Sequence, residues 1–482
     1  MVDEATPPAK GAKKPQGLIG QVFSYLSAGV VTAGLAYITV AVLTRLMTTA
    51  EYGVFTLFQA VAALIAPVFS LSFGQATTRF YIDDEEAFPG FLKTVSAFLI
   101  FFNSVMLAGA WLLRAPVGAW LGLDGTLVFA GVAVGVLRIP WMLLWKTMVA
   151  QLRARRFARL SMLRDLSLML LTVGGAWATA AQNDPVTGAV LGLLAGSLLV
   201  GAAALAWVSV VSRTGTLSSA YLGYALRYGG PLVPATIAGV ALNLIDRALI
   251  AGLVGAEATG LYSFAYNIGQ VMNLGMLAAL QAFGPRFLLA QKAGDAAAVG
   301  RDWGRLSLGL LAMALGLVVF AREAAFVLGG ERFLVALPVV PWAVLGYLLR
   351  SHAGMFAQYA IHQKRTELNA AGTIVAAVVN VGLNLWLIPR FGYVAAAWTT
   401  AASFGVLVVW NAGAARFVLG ETLLPARAWL PSTLVACAAL PLLHELLARL
   451  DDSVALLVAV KIVVAAGAGA LAWWGLLHKP KA

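Results

Sequence analysis

Two arginines stand in the middle of long apolar stretches, Arg138 within 127–149 and Arg350 within 338–360. A guanidinium in hydrocarbon is costly unless it faces a wet cavity or a partner, so each is a candidate for function. The chemistry such groups offer is anion binding, because the planar fork donates several hydrogen bonds at once. Lys461, in the apolar run 454–476, is a third cation of this kind. Intramembrane acids are few, namely Asp165, Asp246 and Glu445, so a cavity built from these groups should be net positive. The structural alternative for the arginines is pairing with a carboxylate or with carbonyls freed near Pro140. Asp246-Arg247 reads first as a local pair, and Lys461 could instead snorkel along a peripheral helix.

The elements that position these residues follow from composition. The chain has 482 residues, 61% of them hydrophobic and 11% charged, with a mean hydropathy of +0.86. Soluble domains run at roughly 45–50% apolar and about 25% charged, so a water-soluble globular protein is excluded and the bilayer is the solvent. With about 20 residues needed per spanning helix, the expected fold is an all-α polytopic membrane protein of about fourteen helices. They fall near 18–43, 53–73, 92–113, 127–149, 160–181, 186–211, 230–253, 260–284, 304–321, 338–360, 368–388, 393–415, 427–447 and 454–476. The number drops to twelve or thirteen if a short span is re-entrant. With the N-terminus inside, Lys and Arg on alternate sides divide roughly three to one, which places both termini in the cytoplasm. Most of the +12 net charge is therefore topology. The single cysteine, Cys437, excludes a disulfide framework.

The chain repeats itself. Glu51-Tyr52-Gly53-Val54-Phe55 returns as Glu257-Ala258-Thr259-Gly260-Leu261-Tyr262, and Arg79-Phe80 matches Arg286-Phe287 at the same offset. Pro185 to Gly188 matches Pro389 to Gly392, and Arg138 matches Arg350, with offsets drifting by a few residues. Two six-helix lobes of one orientation follow, a parallel repeat whose substrate site is expected between the halves near mid-bilayer. The division is a cytoplasmic tail at 1–17, an N-lobe at 18–218, a C-lobe at 219–418, and two added helices with a short cytoplasmic tail at 419–482. Arg138 and Arg350 should converge on the central cavity.

Leu43-Thr44-Arg45-Leu46 followed by Glu51-Tyr52-Gly53-Val54-Phe55 resembles the opening signature of the polysaccharide, or O-antigen, flippases. Tyr228-Gly229-Gly230-Pro231 leading to Asp246-Arg247, and Ile388-Pro389-Arg390-Phe391-Gly392, resemble later parts of the same pattern. The resemblance covers nearly the whole chain. It places the chain in the multidrug/oligosaccharidyl-lipid/polysaccharide exporter superfamily. It implies a two-lobed bundle in the bacterial inner membrane that moves undecaprenyl-diphosphate-linked oligosaccharide to the outer leaflet by alternating access. The diphosphate is a dianionic target for Arg138, Arg350 and Lys461. Hydroxyl and amide groups at Gln21, Tyr25, Tyr37, Asn243, Gln270 and Asn273 would suit the sugars, and interhelical hydrogen bonds explain them equally well. The implied partners are the lipid-linked glycan, membrane lipids and polysaccharide polymerase or assembly proteins, without nucleic acid, and a monomer suffices.

Other classes fit less well. No phosphate-cradling loop of the ATPase type is present, and the histidines at 352, 362, 444 and 478 lack metal-ligand spacing, so neither a cofactor nor a metal is expected. A membrane glycosyltransferase or polymerase would place its acids and bases on a long outer loop, and none is visible. A multidrug/cation antiporter would need buried carboxylates, which spans 1 and 2 lack. A lipid II flippase would share the cationic cavity.

Overall fold

In hydrocarbon a backbone N–H or C=O has no water to turn to, so the apolar stretches close their hydrogen bonds within helices. The computed structural model describes residues 18–151, 153–421, 426–450 and 453–477, and no strand occurs among them. The first half of the chain forms α1 (Leu18–Leu46), α2 (Thr49–Ser70), α3 (Phe73–Asp83), α4 (Phe88–Leu121), α5 (Gly125–Leu137), α6 (Ile139–Ala150), α7 (Ala154–Ala180) and α8 (Pro185–Val211). The second half forms α9 (Ser219–Gly229), α10 (Val233–Leu253), α11 (Ala256–Gln270), α12 (Met272–Ala293), α13 (Ala296–Val319), α14 (Ala321–Gly329), α15 (Val340–His362), α16 (Thr366–Phe391) and α17 (Val394–Gly413). The last two are α18 (Leu430–Arg449) and α19 (Val454–Leu477).

Every segment expected to span falls on helix. Eleven helices among the described residues are long and apolar enough to cross a membrane. The segments at 160–181, 260–284 and 454–476 fall outside that set for visible reasons. α7 carries Arg164 and Asp165, the second segment is divided at Val271, and α19 contributes the shorter apolar stretch Ala455–Leu471.

Several spans are broken, and sequence chemistry accounts for the breaks. Pro140 has no N–H to continue the ladder, and α5 passes into α6 at Arg138. α2 ends on Leu71 and Ser72, both left-handed (φ 48° and 53°), before α3 begins. Gly230-Pro231-Leu232 forms a single tight turn between α9 and α10. In contrast, α2 starts firmly: Thr48 accepts from the Glu51 N–H, and the Glu51 carboxylate accepts from the Thr48 N–H at 2.7 Å, a capping box.

Two groups of helices result. α7 packs on α8 and on α1, while α2 packs on α5. In the second group α10, α15, α16 and α17 pack together, with α12 and α13 against α15. α18 and α19 both lie on α13. The groups meet where α2 packs on α10 and α11 and where α1 meets α14.

Because lipid tails are as apolar as a protein core, helices here associate through close packing rather than through a hydrophobic drive. At the α7–α8 crossing a Cβ on Gly188 would lie 2.1 Å from the Gly175 carbonyl oxygen, and one on Gly175 would lie 2.1 Å from that of Gly188. The two backbones touch. Gly188→Ala should therefore separate α7 from α8 and cost roughly 1–3 kcal/mol, the usual range for overpacking. A lowered melting temperature of the detergent-purified protein is expected, and an unchanged one would show that the crossing tolerates a methyl group.

Candidate functional site

A cavity of about 390 Å³ lies between the two groups of helices. From the first group α1, α2, α7, α8 and the α5–α6 break form its wall, and from the second group α11 and the start of α12. Arg138 lines it from the junction of α5 and α6. Asp165, Leu168, Met169 and Thr172 line it from α7, spaced three or four apart on one face.

The charge is arranged unevenly. Arg138 and Asp165 belong to the first wall, whereas the second offers the neutral amides Asn267, Gln270 and Asn273. Asp165 is held by two partners. Arg164 reaches its Oδ1 through Nη2 at 2.6 Å and Nε at 2.7 Å, and the Thr32 hydroxyl donates to Oδ2 at 2.8 Å. Arg164 itself lies over the Trp141 ring, 5.0 Å from its centroid.

One end of the cavity is closed by contacts between the groups. A Cβ on Gly53 would fall 1.8 Å from the Ala256 carbonyl oxygen, and one on Gly260 would fall 2.0 Å from that of Thr49. The two repeat-related glycines thus face each other at the point where α2 crosses α11. Around them the last helical turn of α1, Leu43-Thr44-Arg45-Leu46, grips α14. The Thr44 hydroxyl donates to the Leu328 carbonyl at 2.6 Å, Arg45 donates to that of Val327 at 2.9 Å, and Arg332 donates back to the Thr44 carbonyl. Beneath this clasp the Asn267 amide donates to the Tyr52 hydroxyl at 3.2 Å, and Tyr37 donates to the Asn267 carbonyl at 2.9 Å.

The expected site residues are distributed as follows. Arg138, Tyr37, Gln270 and Asn273 line this one cavity. Arg350 is not among its lining residues: its guanidinium donates to Asn243 Oδ1 at 2.8 Å and lies 5.5 Å over the Phe404 ring. Asn243 is thereby occupied as well. Lys461 is ion-paired with Glu323 of α14, beside a smaller cavity of about 220 Å³ that Arg322 and His444 also line. The structure therefore does not bring the three cations together. The side chains of Gln21 and Tyr25 lie outside the described residues. Spacing did not single out Arg164, Gln59 or Asn267, although Arg164-Asp165 is visible as a charged step in an apolar helix.

Asp246 is fully buried and does not pair with its neighbour Arg247, which lies over the Tyr266 ring instead. Its carboxylate accepts from Tyr262 at 2.6 Å, Thr400 at 2.7 Å and Asn384 at 2.6 Å. Thr399 donates to the Asn384 oxygen, and Asn380 donates to Thr400 at 3.2 Å. The local pair expected between Asp246 and Arg247 gives way to this network because α11, α16 and α17 each bring a neutral donor to the buried carboxylate. The network is all oxygen and amide, the donor chemistry that hard cations accept. Among the described residues no group of three or more His, Cys, Asp or Glu could hold a metal. The Asn380 and Asn384 spacing, one helical turn apart in an apolar segment, was the available signal.

Comparison with known proteins gives a consistent picture. Residues 18–290 match the family model described as "Polysaccharide biosynthesis protein". A probable low-salt glycan biosynthesis flippase of Haloferax volcanii is 23% identical over 390 residues, covering 80% of each chain. Among solved structures, the lipid II flippase MurJ in an inward closed conformation superposes with a TM-score of 0.70 at 12% identity, over 95% of this chain and 100% of that one. An outward-facing multidrug transporter of the MATE family gives 0.53 at 13% identity, over 84% and 96%. The fold is thus that of these transporters.

The Asp246 network carries a stability prediction. Asp246→Ala leaves three buried donors without their acceptor, which should cost on the order of 3 kcal/mol, while Asp246→Asn keeps an acceptor oxygen and should cost less. Thermal unfolding in detergent checks the order. Equal melting of the alanine variant and the parent would contradict it.

Proposed function

The chain belongs to the polysaccharide biosynthesis protein family, and from that premise we propose that it is a flippase for an oligosaccharide carried on a polyprenyl diphosphate. The substrate class is undecaprenyl-diphosphate-linked repeat units, and the membrane is the bacterial inner membrane with both chain termini in the cytoplasm. The observation that carries this reading is the division of the cavity into a wall with Arg138 and a wall with Asn267, Gln270 and Asn273. A diphosphate needs a cationic fork, and sugar hydroxyls need amides that both donate and accept. One headgroup has both needs. The relative in Haloferax volcanii, a probable glycan biosynthesis flippase, supports the same reading.

With the termini inside, the Gly53–Gly260 clasp is the outer gate, and the described conformation has that gate shut. The headgroup enters from the cytoplasmic side, its phosphates settling on Arg138, while the polyprenyl chain stays in lipid. Opening the clasp and closing the inner side then presents the headgroup outside. Both steps rock the lobes 18–218 and 219–418 against each other. No covalent chemistry is involved.

Arg138→Gln removes the charge and keeps the size, so it should lower translocation at least tenfold, in line with the roughly 1.5–3 kcal/mol of a charged hydrogen bond. The test is complementation of a deletion strain, scored by full-length lipid-linked glycan accumulating on the cytoplasmic face. The amount of folded protein, read by size-exclusion chromatography, should not change. Normal flipping by this variant would contradict the reading, and a truncated glycan in the deletion strain would point to an enzyme instead.

A further inference from the structure

Asp165 is a carboxylate facing a cavity whose role is to hold an anion. A charge of the wrong sign in that place weakens binding of a diphosphate, and in a spanning helix it is also costly to keep. Resting on the flippase reading, we propose that Asp165 is a built-in occupant of the anion site, which holds the Arg164 guanidinium while the cavity is empty and yields it to the diphosphate when substrate enters.

Three observations carry this. First, Arg164 approaches Oδ1 with both Nε and Nη2, at 2.7 and 2.6 Å, the two-pronged use of the fork that phosphate oxygens also satisfy. Second, the other oxygen, Oδ2, is fixed by Thr32 from α1, so the carboxylate has a place to remain when Arg164 leaves it. Third, Arg138 and Asp165 line the same cavity, so an anion drawn to Arg138 arrives beside the Arg164–Asp165 pair. Arg164 is about a third exposed along its side chain at 29%, whereas Asp165 is at 13%, so the guanidinium is the freer partner.

The charge balance gives the cluster its function. Two arginines and one aspartate sum to +1, and without the aspartate they would sum to +2. A diphosphate diester brings two negative charges, which the two arginines alone would neutralise fully. Such a site binds tightly and releases slowly. With Asp165 present the loaded site is left one charge negative, so release to the far side is favoured. Arg164 then takes the place beside Arg138 that the sequence repeat had suggested for Arg350, and both phosphate ligands come from the same lobe.

The test is binding of farnesyl diphosphate, a short-chain prenyl diphosphate, to the purified full-length chain in detergent by titration calorimetry. Asp165→Asn keeps an acceptor for Arg164 and Thr32 and should bind at least tenfold tighter than the parent, while flipping more slowly in proteoliposomes. Asp165→Ser is the second variant if the first does not fold, with the same direction expected. Inorganic pyrophosphate should rank the proteins in the same order, which separates recognition of the phosphates from that of the prenyl chain. If Arg138→Gln weakens binding but neither Asp165 variant tightens it, the role of Asp165 is overturned and the cavity reading stands. If the parent does not bind, or Arg138→Gln binds equally well, the cavity reading itself fails.

Discussion

The contact between Gly53 and Gly260 is the constraint on which the rest of the arrangement depends. Backbone meets backbone there, and a methyl group on either residue would overlap the opposing helix. The crossing fixes how close α2 comes to α11, and that distance places Tyr52 within reach of Asn267. It also brings the Thr44-Arg45 turn onto the carbonyls of α14. The cavity below inherits its closed end from these contacts. In lipid such an interface has no hydrophobic drive of its own, so it rests on close packing and a few hydrogen bonds. An interface of that kind can be opened and closed again.

The intramembrane charges obey a second rule, that each finds a partner or a polar space. Arg350 uses Asn243 and the Phe404 ring, and Lys461 uses Glu323. Asp246 is satisfied by a hydroxyl and amide network. What remains for the cavity is Arg138 and Asp165 on one wall, with Arg164 ion-paired to Asp165 behind them. The repeat of the sequence is thus not a repeat of the site. Of the two matched arginines, Arg138 lines the cavity and Arg350 does not.

The sequence was informative wherever a one-dimensional property decides the outcome. Apolar length located the helices, Pro140 located the α5–α6 junction at which Arg138 sits, and the matched Gly53 and Gly260 turned out to touch. It was silent on rotation about the helix axis. Hydropathy cannot tell which side of a helix faces a neighbour when lipid and protein interior are equally apolar. That is why Arg350 was expected in the cavity, and why the tie between Thr32 and Asp165, 133 residues apart, was not foreseen. Asn380 and Asn384 show the same limit, since their common face was legible and its partner Asp246 was not.

The central claim is that the α2–α11 crossing is a gate that must open for the cargo to leave. Thr49 and Glu257 face each other across it, their side-chain oxygens 3.3 Å apart. Cysteines at both positions, in a Cys437→Ser background, can be joined by a short thiol-reversible cross-linker in proteoliposomes and released by reductant. The account requires that cross-linking stops translocation and that reduction restores it. Undiminished flipping by the fully cross-linked protein would show that this contact is scaffold and that the cargo leaves by another route.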